Sequence, residues 1–279
     1  MTLLHKTYGK SRVRVMRVHR DGERHEVREL TVQAMLTGGF DPAFTQADNS
    51  TTVSTDTVKN VVNVVARESL TLATEAFCQA VARRLLDSYA MVETATVTAH
   101  ETRWSRLAVD GTPHPHAFTL DGNGTSVAKV VLGRDGAQIL ESGLSDFTFL
   151  KTTESGWANY VKDPYTTIRE THDRLAASSM EASWLWSRPP AAYPAANARI
   201  LESLLRVFAT TYSHSIQDSL YRMGEAALAA VPEIETITLA CPNKHYLLLD
   251  LSPFGLDNEN QVFLPTDEPH GQIECTVGR

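Results

Sequence analysis

The stretch Asp48-Asn49-Ser50-Thr51-Thr52-Val53-Ser54-Thr55-Asp56-Thr57-Val58-Lys59-Asn60 combines a strand pattern with the start of a helix. Its β-branched residues 51–54 predict a short strand, and apolar side chains then follow at helical spacing, at Val58, Val61, Val62 and Val65. We predict that this helix begins with Asp56 as its N-cap, next to Thr55. A hydroxyl, a carboxylate and unpaired backbone N–H groups would meet there. Such a point can receive a small polar or anionic ligand, although an ordinary capped helix has the same pattern.

Strand patterns surround this helix in the first part of the chain. Residues 11–18 predict a strand whose change of parity between Val15 and Met16 indicates a bulge, and Asp21-Gly22 is typical of a hairpin turn. The return strand places apolar side chains on one face, at Leu30, Val32, Ala34 and Leu36. A helix over 56–68, a second over about 70–89, and strands over 94–102, 118–120 and 126–132 complete the order strand, strand, helix, helix, strand, strand.

The same order of elements is predicted again after the turn at Asp135-Gly136. Strands are expected over 137–141 and 146–150, helices over 195–212 and 215–230, and strands over 236–241 and 246–251. We therefore predict an α+β fold of two units, residues 1–136 and 137–279, with antiparallel sheets and helices on one face. Open sheet edges favour pairing with a partner subunit.

Composition excludes several classes of protein. The 279 residues are 42% hydrophobic and 21% charged, with a net charge of −7 and no basic tract, so we expect no nucleic-acid partner. No apolar run approaches the length of a membrane span, the N-terminus does not resemble a signal peptide, and the C-terminus, Thr276-Val277-Gly278-Arg279, is not a peroxisomal signal. The three cysteines, Cys78, Cys241 and Cys275, form no CxxC pair. We expect a cytoplasmic protein without a membrane partner, with its cysteines buried or half-buried.

The sequence contains no phosphate-binding loop, dinucleotide fingerprint, GxSxG elbow or HExxH pair. His114-Pro115-His116 resembles a metal motif, but it lacks nearby cysteine or carboxylate ligands. We therefore favour an ordinary Gly/Pro-rich hairpin loop at this position. No cofactor is predicted, so side chains and substrate would have to supply the chemistry.

Polar clusters are scattered along the chain, and each has an ordinary structural reading. Lys10 follows Gly9 before the first strand and is typical of a solvated lysine. Arg174 would be a surface charge, residues 213–217 a break between helices, and residues 242–245 a turn between two strands. None of them alone indicates a function.

Together, these clusters carry a family resemblance. The matching stretches are Tyr8-Gly9-Lys10, DNSTTVSTDTVKN (48–60), RWSRLAVDGTPHPHAF (103–118), KDPYTTIRETHDR (162–174), HSIQDSLYRMGE (214–225) and PNKHYLLLDL (242–251). In this order they resemble the urate oxidase (uricase) family over essentially the whole chain. The resemblance implies the tunnelling fold, in which each subunit has two tandem ββααββ units and four subunits form a homotetrameric antiparallel β-barrel.

The resemblance also implies an activity, the oxidation of urate by O2 and water to 5-hydroxyisourate and H2O2 without metal or organic cofactor. By the same resemblance, Arg174 would hold one edge of the purine through its guanidinium fork, and Gln217 and the Ile216 backbone N–H would bind on the same side. Thr55 and the Asp56 backbone N–H would bind the opposite edge.

Proton transfer in the family implies a second group of residues. Lys10 and Thr55 match the proton-relay pair, His245 the histidine that completes the relay, and Asn243 the amide that holds O2 or water above the ring. A lysine accepts a proton near neutral pH only when desolvation or positive charge disfavours its ammonium form, so we expect Lys10 to be partly buried against Thr55. Lysine, threonine and histidine would come from one subunit and arginine and glutamine from its neighbour, so the active site would lie at a dimer interface.

One position departs from the family pattern. A phenylalanine usually stacks on the purine, and an ungapped comparison places Trp157 there. An indole can stack as well, but its N–H needs a partner. A local shift of register would instead assign the stacking role to Tyr160, and we favour Trp157.

Two alternatives to a urate oxidase use the same fold. A zinc-dependent enzyme related to the GTP cyclohydrolases would need a Cys/His ligand set, which the sequence does not show. A catalytically altered purine- or pterin-binding protein would need none of Lys10, Thr55, Gln217, Asn243 and His245, and their joint presence argues against it.

Overall fold

A computed structural model describes the backbone of residues 1–279 and every side chain except that of Asp267. The chain divides into two compact units, Met1–Gly143 and Leu144–Arg279. The boundary expected between residues 136 and 137 falls in the turn before β7 (Gln138–Lys151) and stays a prediction. The antiparallel α+β architecture is the one expected from the sequence.

The first unit contains a four-stranded antiparallel arrangement, β1–β2–β3–β6, with two long helices packed on it. Its elements are β1 (Tyr8–Asp21), β2 (Arg24–Gly38), α1 (Asp41–Thr45), α2 (Thr55–Glu68), α3 (Thr74–Ser88), β3 (Val92–Thr102), β4 (Trp104–Val109), β5 (Thr112–Leu120) and β6 (Thr125–Gly133). Strands β4 and β5 form a separate hairpin, which the sequence reading missed in part. Successive side chains of a strand point to opposite faces, and one face of β2 forms part of the core. The four side chains predicted to share that face are all fully buried, namely Leu30, Val32, Ala34 and Leu36.

The β1–β2 hairpin has the turn that the sequence predicts, but its bulge lies at a different position. Asp21 pairs with Arg24 across a tight turn in which Gly22 has φ +56°, as predicted. The bulge, however, lies between Lys10 and Val13, where Arg12 has φ +58°, and pairing is regular through Val15. The parity change that suggested a later bulge comes instead from Arg17, which is buried on the face that apolar residues were expected to fill.

The start of α2 corrects two expectations. Residues 51–54 form no strand, because the Thr52 N–H donates to the Asn49 carbonyl and the Val53 N–H donates to the Tyr8 hydroxyl. Ser54, not Asp56, is the N-cap, and its Oγ accepts from the Thr57 N–H at 3.1 Å. The helix therefore begins at Thr55. Ser54, Thr55 and Asp56 are all residue types that can cap a helix, so the residue types alone do not determine which of them is the N-cap.

The second unit has the strand order β7–β8–β9–β10, with two long helices packed against each other and α5 on β9 and β10. Its elements are β7 (Gln138–Lys151, which begins in the first unit), β8 (Ala176–Trp186), α4 (Tyr193–Thr210), α5 (Ile216–Ala230), β9 (Ile234–Leu248), a 3-10 turn (Ser252–Phe254) and β10 (Phe263–Gly278). In both units two strands precede the long helix pair and two strands of the main sheet follow it, and the first unit has the β4–β5 hairpin in addition.

Several strand boundaries in this unit differ from expectation. The strands expected over 137–141 and 146–150 are the single strand β7, in which Asp146 has φ +54°, and β8 and β10 were not predicted. The turn expected at residues 242–245 lies within β9. Pro242 has no N–H to donate to the ladder, and its carbonyl accepts a hydrogen bond of 2.8 Å from Ser178 Oγ on β8.

All three cysteines are free thiols. Cys78 and Cys241 are buried and Cys275 is half-buried, as expected, and burial raises the pKa of Cys241 to about 11. Among the residues that the structure describes, no helix is both long enough and apolar enough to cross a membrane.

Candidate active site

The beginning of β1 places Lys10 next to the start of α2. Lys10 pairs with Ala34 of β2 and is half-buried. Gly9 allows this pairing, because a Cβ at that position would collide with the Ala34 carbonyl. The pKa of Asp56 is lowered, mainly by the hydrogen bond from Lys59 and in smaller part by the charge of Lys10. Lys10 thus lies near the first turn of α2. Its direct contact with Thr55 stays a prediction.

Tyr8 connects the strand that carries Lys10 to the loop that leads into α2. Its hydroxyl accepts a hydrogen bond of 2.9 Å from the Val53 N–H, and its ring packs edge-on against Phe40 with centroids 4.8 Å apart. Burial raises the pKa of Tyr8. Tyr8 belongs to one of the stretches that carry the family resemblance, but this role was not predicted from the sequence. Its pairing with Val53 depends on a contact across 45 residues that no local pattern indicates.

The first turn of α2 presents Thr55 and Asp56, both exposed. The two carboxylate oxygens of Asp56 accept hydrogen bonds from the Lys59 ammonium and the Asn60 side-chain amide. The carboxylate is therefore already paired within its own helix. The Asp56 backbone N–H belongs to the group that a helix start leaves without an intrahelical acceptor. This side of the helix can therefore donate a backbone hydrogen bond next to the Thr55 hydroxyl.

In the second unit, backbone hydrogen bonds hold residues 154–157 between two distant segments. Trp157 exchanges hydrogen bonds with Thr171, N–H to carbonyl, at 2.7 and 3.0 Å. The Arg174 N–H donates to the Ser155 carbonyl at 2.9 Å, and the Gly156 N–H donates to the Ser213 carbonyl at 2.8 Å. We call residues 154–157 the clamped segment. It brings Trp157, Arg174 and the approach to α5 together in the fold.

Neighbouring atoms lie so close to Gly156 that a side chain would not fit there. A Cβ there would lie 3.0 Å from the Thr171 carbonyl oxygen, 3.3 Å from the His172 Cα and well inside van der Waals distance of the Tyr212 hydroxyl. That hydroxyl donates a hydrogen bond of 2.7 Å to the His172 carbonyl. Gly156 and Tyr212 are thus a matched pair, and neither role was predicted from the sequence.

Arg174 combines a partly desolvated positive charge with a polar atom that has no partner in the chain. Its side chain is half-buried, and desolvation lowers its pKa. Its Nε is buried without a hydrogen-bond partner. Among the described residues, no carboxylate forms an ion pair with it. A desolvated guanidinium is stabilised by an anionic acceptor, so the site can receive one.

The start of α5 carries Ile216 and Gln217. Ser215 is the N-cap, and its Oγ accepts from the Asp218 N–H at 3.1 Å, which leaves the Ile216 N–H in the first, unpaired turn. The Ile216 side chain is buried and lines a small cavity of about 10 Å³ together with Ser178 and Cys241. Gln217 is exposed. The residues expected as a helix break are indeed a break, and they also present a donor.

Strand β9 carries Asn243 and His245. Asn243 pairs with Ser178 of β8 and with Gly271 of β10, and His245 lies opposite Thr266. Both are half-buried. Since they are two residues apart in a strand, they project from the same face.

Trp157 and Tyr160, the two alternatives for the stacking residue, lie in one stack. Their ring centroids are 5.5 Å apart and the ring planes differ by 12°. Both side chains are half-buried. The choice of Trp157 as the residue that contacts the substrate stays a prediction.

The predicted site residues therefore fall into two groups. Lys10, Thr55 and Asp56 lie in the first unit, and the others, Trp157, Arg174, Ile216, Gln217, Asn243 and His245, lie in the second. His114 and His116 lie in strand β5 rather than in the expected loop, with rings edge-to-face at 4.6 Å. The described residues include no group of three or more His, Cys, Asp or Glu side chains placed to hold a metal ion.

Comparisons with known proteins agree with the resemblance. A profile of the family described as Uricase matches residues 6–131 and 140–274. A uricase from Arthrobacter globiformis is 37% identical, with 98% of this chain and 88% of the relative covered, and one from Cyberlindnera jadinii is 35% identical, with 100% and 97% covered. The crystal structure of the Arthrobacter globiformis uricase matches with a TM-score of 0.94 at 35% identity, covering 100% of this chain and 95% of that one.

Proposed function

This chain belongs to the uricase family of urate oxidases, and from that premise we propose that it oxidises urate with O2 and water to 5-hydroxyisourate and H2O2 without a cofactor. The carrying observation is the half-buried Arg174, whose Nε lacks a hydrogen-bond partner. Urate is a planar anion with adjacent carbonyl and ring-nitrogen acceptors. A guanidinium fork matches both features, because it supplies parallel N–H donors and a positive charge.

Binding in this proposal uses donors at two helix starts. On one edge of the purine, Arg174, Gln217 and the Ile216 N–H hold the ring, and Trp157 stacks on its face. On the opposite edge, the Thr55 hydroxyl and the Asp56 N–H donate from the first turn of α2. Fixed donors of this kind orient the substrate before reaction and stabilise its negative charge.

Chemistry in this proposal begins with loss of a proton from urate. Lys10 takes the proton through Thr55, and His245 completes the relay. A more negative urate gives up electrons to O2 more readily, so deprotonation is the step that the protein accelerates. Asn243 holds O2, and afterwards the water that adds to the oxidised ring. The sum is one urate, one O2 and one water converted to one 5-hydroxyisourate and one H2O2.

We propose further that the active site is shared between subunits of a homotetramer whose subunits consist of two tandem tunnelling-fold units, 1–136 and 137–279. Lys10, Thr55 and His245 would come from one subunit and Arg174 and Gln217 from its neighbour. The repeated order of two strands, a long helix pair and two further strands of the main sheet supports the two tandem units. We also expect a reducing compartment, the cytoplasm, because all three cysteines are free thiols.

An oxygen electrode tests the reaction. The purified protein is mixed with urate in the presence of a metal chelator, and O2 uptake and peroxide release are measured. Uptake with one peroxide per O2 is expected. Activity that the chelator abolishes would indicate a metal enzyme, and urate binding without uptake would indicate a purine-binding protein. Either result overturns the proposal.

Subunit mixing tests the shared site. Lys10→Met and Arg174→Ala variants are each expected to be nearly inactive. When the two are co-expressed and assemble together, some sites receive Lys10 from one subunit and Arg174 from the other, and activity returns. Recovery is the expected result. If mixed assemblies form and stay as inactive as each parent, the site lies within a single chain.

A further inference from the structure

The indole of Trp157 has one face covered within its own chain. Tyr160 lies parallel to it, with ring centroids 5.5 Å apart and an angle of 12°. At that separation nearly parallel rings are offset-stacked, which is a preferred arrangement of aromatic pairs. A planar ligand that stacks on this indole would therefore use its opposite face.

Tyr160 is itself held from several directions. Its hydroxyl donates a hydrogen bond of 2.7 Å to the Ile168 carbonyl. The Lys162 ammonium lies 5.8 Å from its ring centroid and forms an ion pair of 2.9 Å with Glu170. Glu170 also accepts from the Asn159 N–H at 3.1 Å, beside Tyr160 in the chain. These contacts hold the segment around Tyr160 in place, and the stacked ring itself is what contacts the indole.

Trp157 is fixed mainly at its backbone. Its N–H and carbonyl pair with Thr171, but a backbone pair leaves the side-chain torsions free. A stacking residue contributes most when its ring is already parallel to the ligand before binding, because ordering a side chain costs affinity. The stacked Tyr160 ring restricts the orientation of the Trp157 indole before a ligand binds.

We propose that Tyr160 is a positioning residue that holds the Trp157 indole in the plane where its opposite face stacks on the purine. This inference rests on the proposed function. In this arrangement the substrate stacks on Trp157, and Trp157 stacks on Tyr160. Tyr160 acts on the ligand only through Trp157.

Substitutions of Tyr160 separate its ring from its hydroxyl. Tyr160→Leu removes the ring, Tyr160→Met is a second variant without a planar face, and Tyr160→Phe keeps the ring and is the matched control. The probe is urate itself, titrated without O2 so that binding is measured apart from turnover. Aromatic pairing changes an equilibrium by about 2- to 12-fold, so Tyr160→Leu and Tyr160→Met should raise the urate Kd by about that factor. Tyr160→Phe should stay within about twofold of wild type.

Two further measurements show whether the effect passes through Trp157. Near-ultraviolet circular dichroism should lose the same coupled aromatic signal in Tyr160→Leu and in Trp157→Leu, and retain it in Tyr160→Phe. In the Trp157→Leu background, Tyr160→Leu should add no further loss of urate affinity. In aerobic assays, Tyr160→Leu should raise KM more than it lowers kcat.

The outcomes are distinct. Unchanged or tighter urate binding in Tyr160→Leu and Tyr160→Met overturns the positioning role, as does an additive loss in the Trp157→Leu background. If Trp157→Leu weakens urate binding while the Tyr160 variants do not, the proposed function stands and this inference fails. If the wild-type protein neither binds nor oxidises urate, the proposed function fails, whatever the dichroism signal shows.

Discussion

Replacing Gly156 by alanine tests the clamped segment directly. The added methyl would lie 3.0 Å from the Thr171 carbonyl oxygen and 3.3 Å from the His172 Cα, both backbone atoms. These atoms can retreat only by stretching the pairing between Trp157 and Thr171. The third neighbour, the Tyr212 hydroxyl, is at the end of a side chain but is bonded to the His172 carbonyl.

The expected cost follows from these contacts. Inserting a methyl into a well-packed position destabilises a protein by about 1–3 kcal/mol. Tyr212→Phe removes the hydroxyl from that space and loses one hydrogen bond, for a cost of about 0.5–1.5 kcal/mol. Because the two residues share one contact, the double variant should be more stable than the sum of the single losses predicts, by about 0.5 kcal/mol or more.

Urea unfolding of the four proteins measures this cycle, and anaerobic urate titration measures whether displacement of Trp157 weakens binding. Gly122→Ala is the control, since a Cβ at Gly122 has no neighbour within 4 Å and the residue needs no left-handed backbone. It should change stability by no more than about 0.5 kcal/mol. If Gly156→Ala is as stable as Gly122→Ala, or if the double-variant losses simply add, the close approach described at Gly156 is wrong.

Three further predictions concern the proposed catalytic groups. Lys10→Met should lower the rate of urate oxidation far more than it weakens anaerobic urate binding, and unchanged turnover would remove Lys10 as the base. Arg174→Ala should weaken urate binding by about 1.5–3 kcal/mol, the value of a hydrogen bond to a charged group, as measured by titration; an unchanged Kd would contradict its role. Tyr8→Phe should lower kcat with little change in KM, because it frees the Val53 N–H and loosens the loop before Thr55. If Tyr8→Phe has wild-type kcat, that connection is not needed for proton transfer.

The regular spacing of apolar residues explains which helices and strands could be predicted from the sequence. The four long helices were expected within a few residues of their ends, since α2 buries Val58, Val62 and Val65 at helical spacing, whereas the short helix α1 was not predicted. The buried face of β2 was predicted residue by residue for the same reason. Strand β8, in contrast, is rich in alanine and serine and is buried on both faces at its start, so no alternation marks it.

Contacts between distant residues explain what could not be predicted. The N-cap of α2 was expected at Asp56 because residues 51–54 were assigned to a strand, and Ser54 is the N-cap instead. The candidate site residues were recognised by family resemblance, and no local pattern singled them out. The fit of Gly156 to Tyr212 depends on a contact 56 positions apart (212 − 156), which a local period does not encode. The stack of Trp157 on Tyr160 likewise depends on side-chain planes, not on spacing alone.

The continuity of β9 gives Asn243 and His245 a fixed separation. Two strand residues advance by about 6.7 Å, so the amide and the imidazole are spaced by the pleat of the sheet, not by a flexible connection. Inserting one residue between them would turn the imidazole toward the other side of the strand. Evolution in this segment can therefore exchange side chains, but it cannot change the number of residues without separating the proposed oxygen-holding amide from the proposed proton relay.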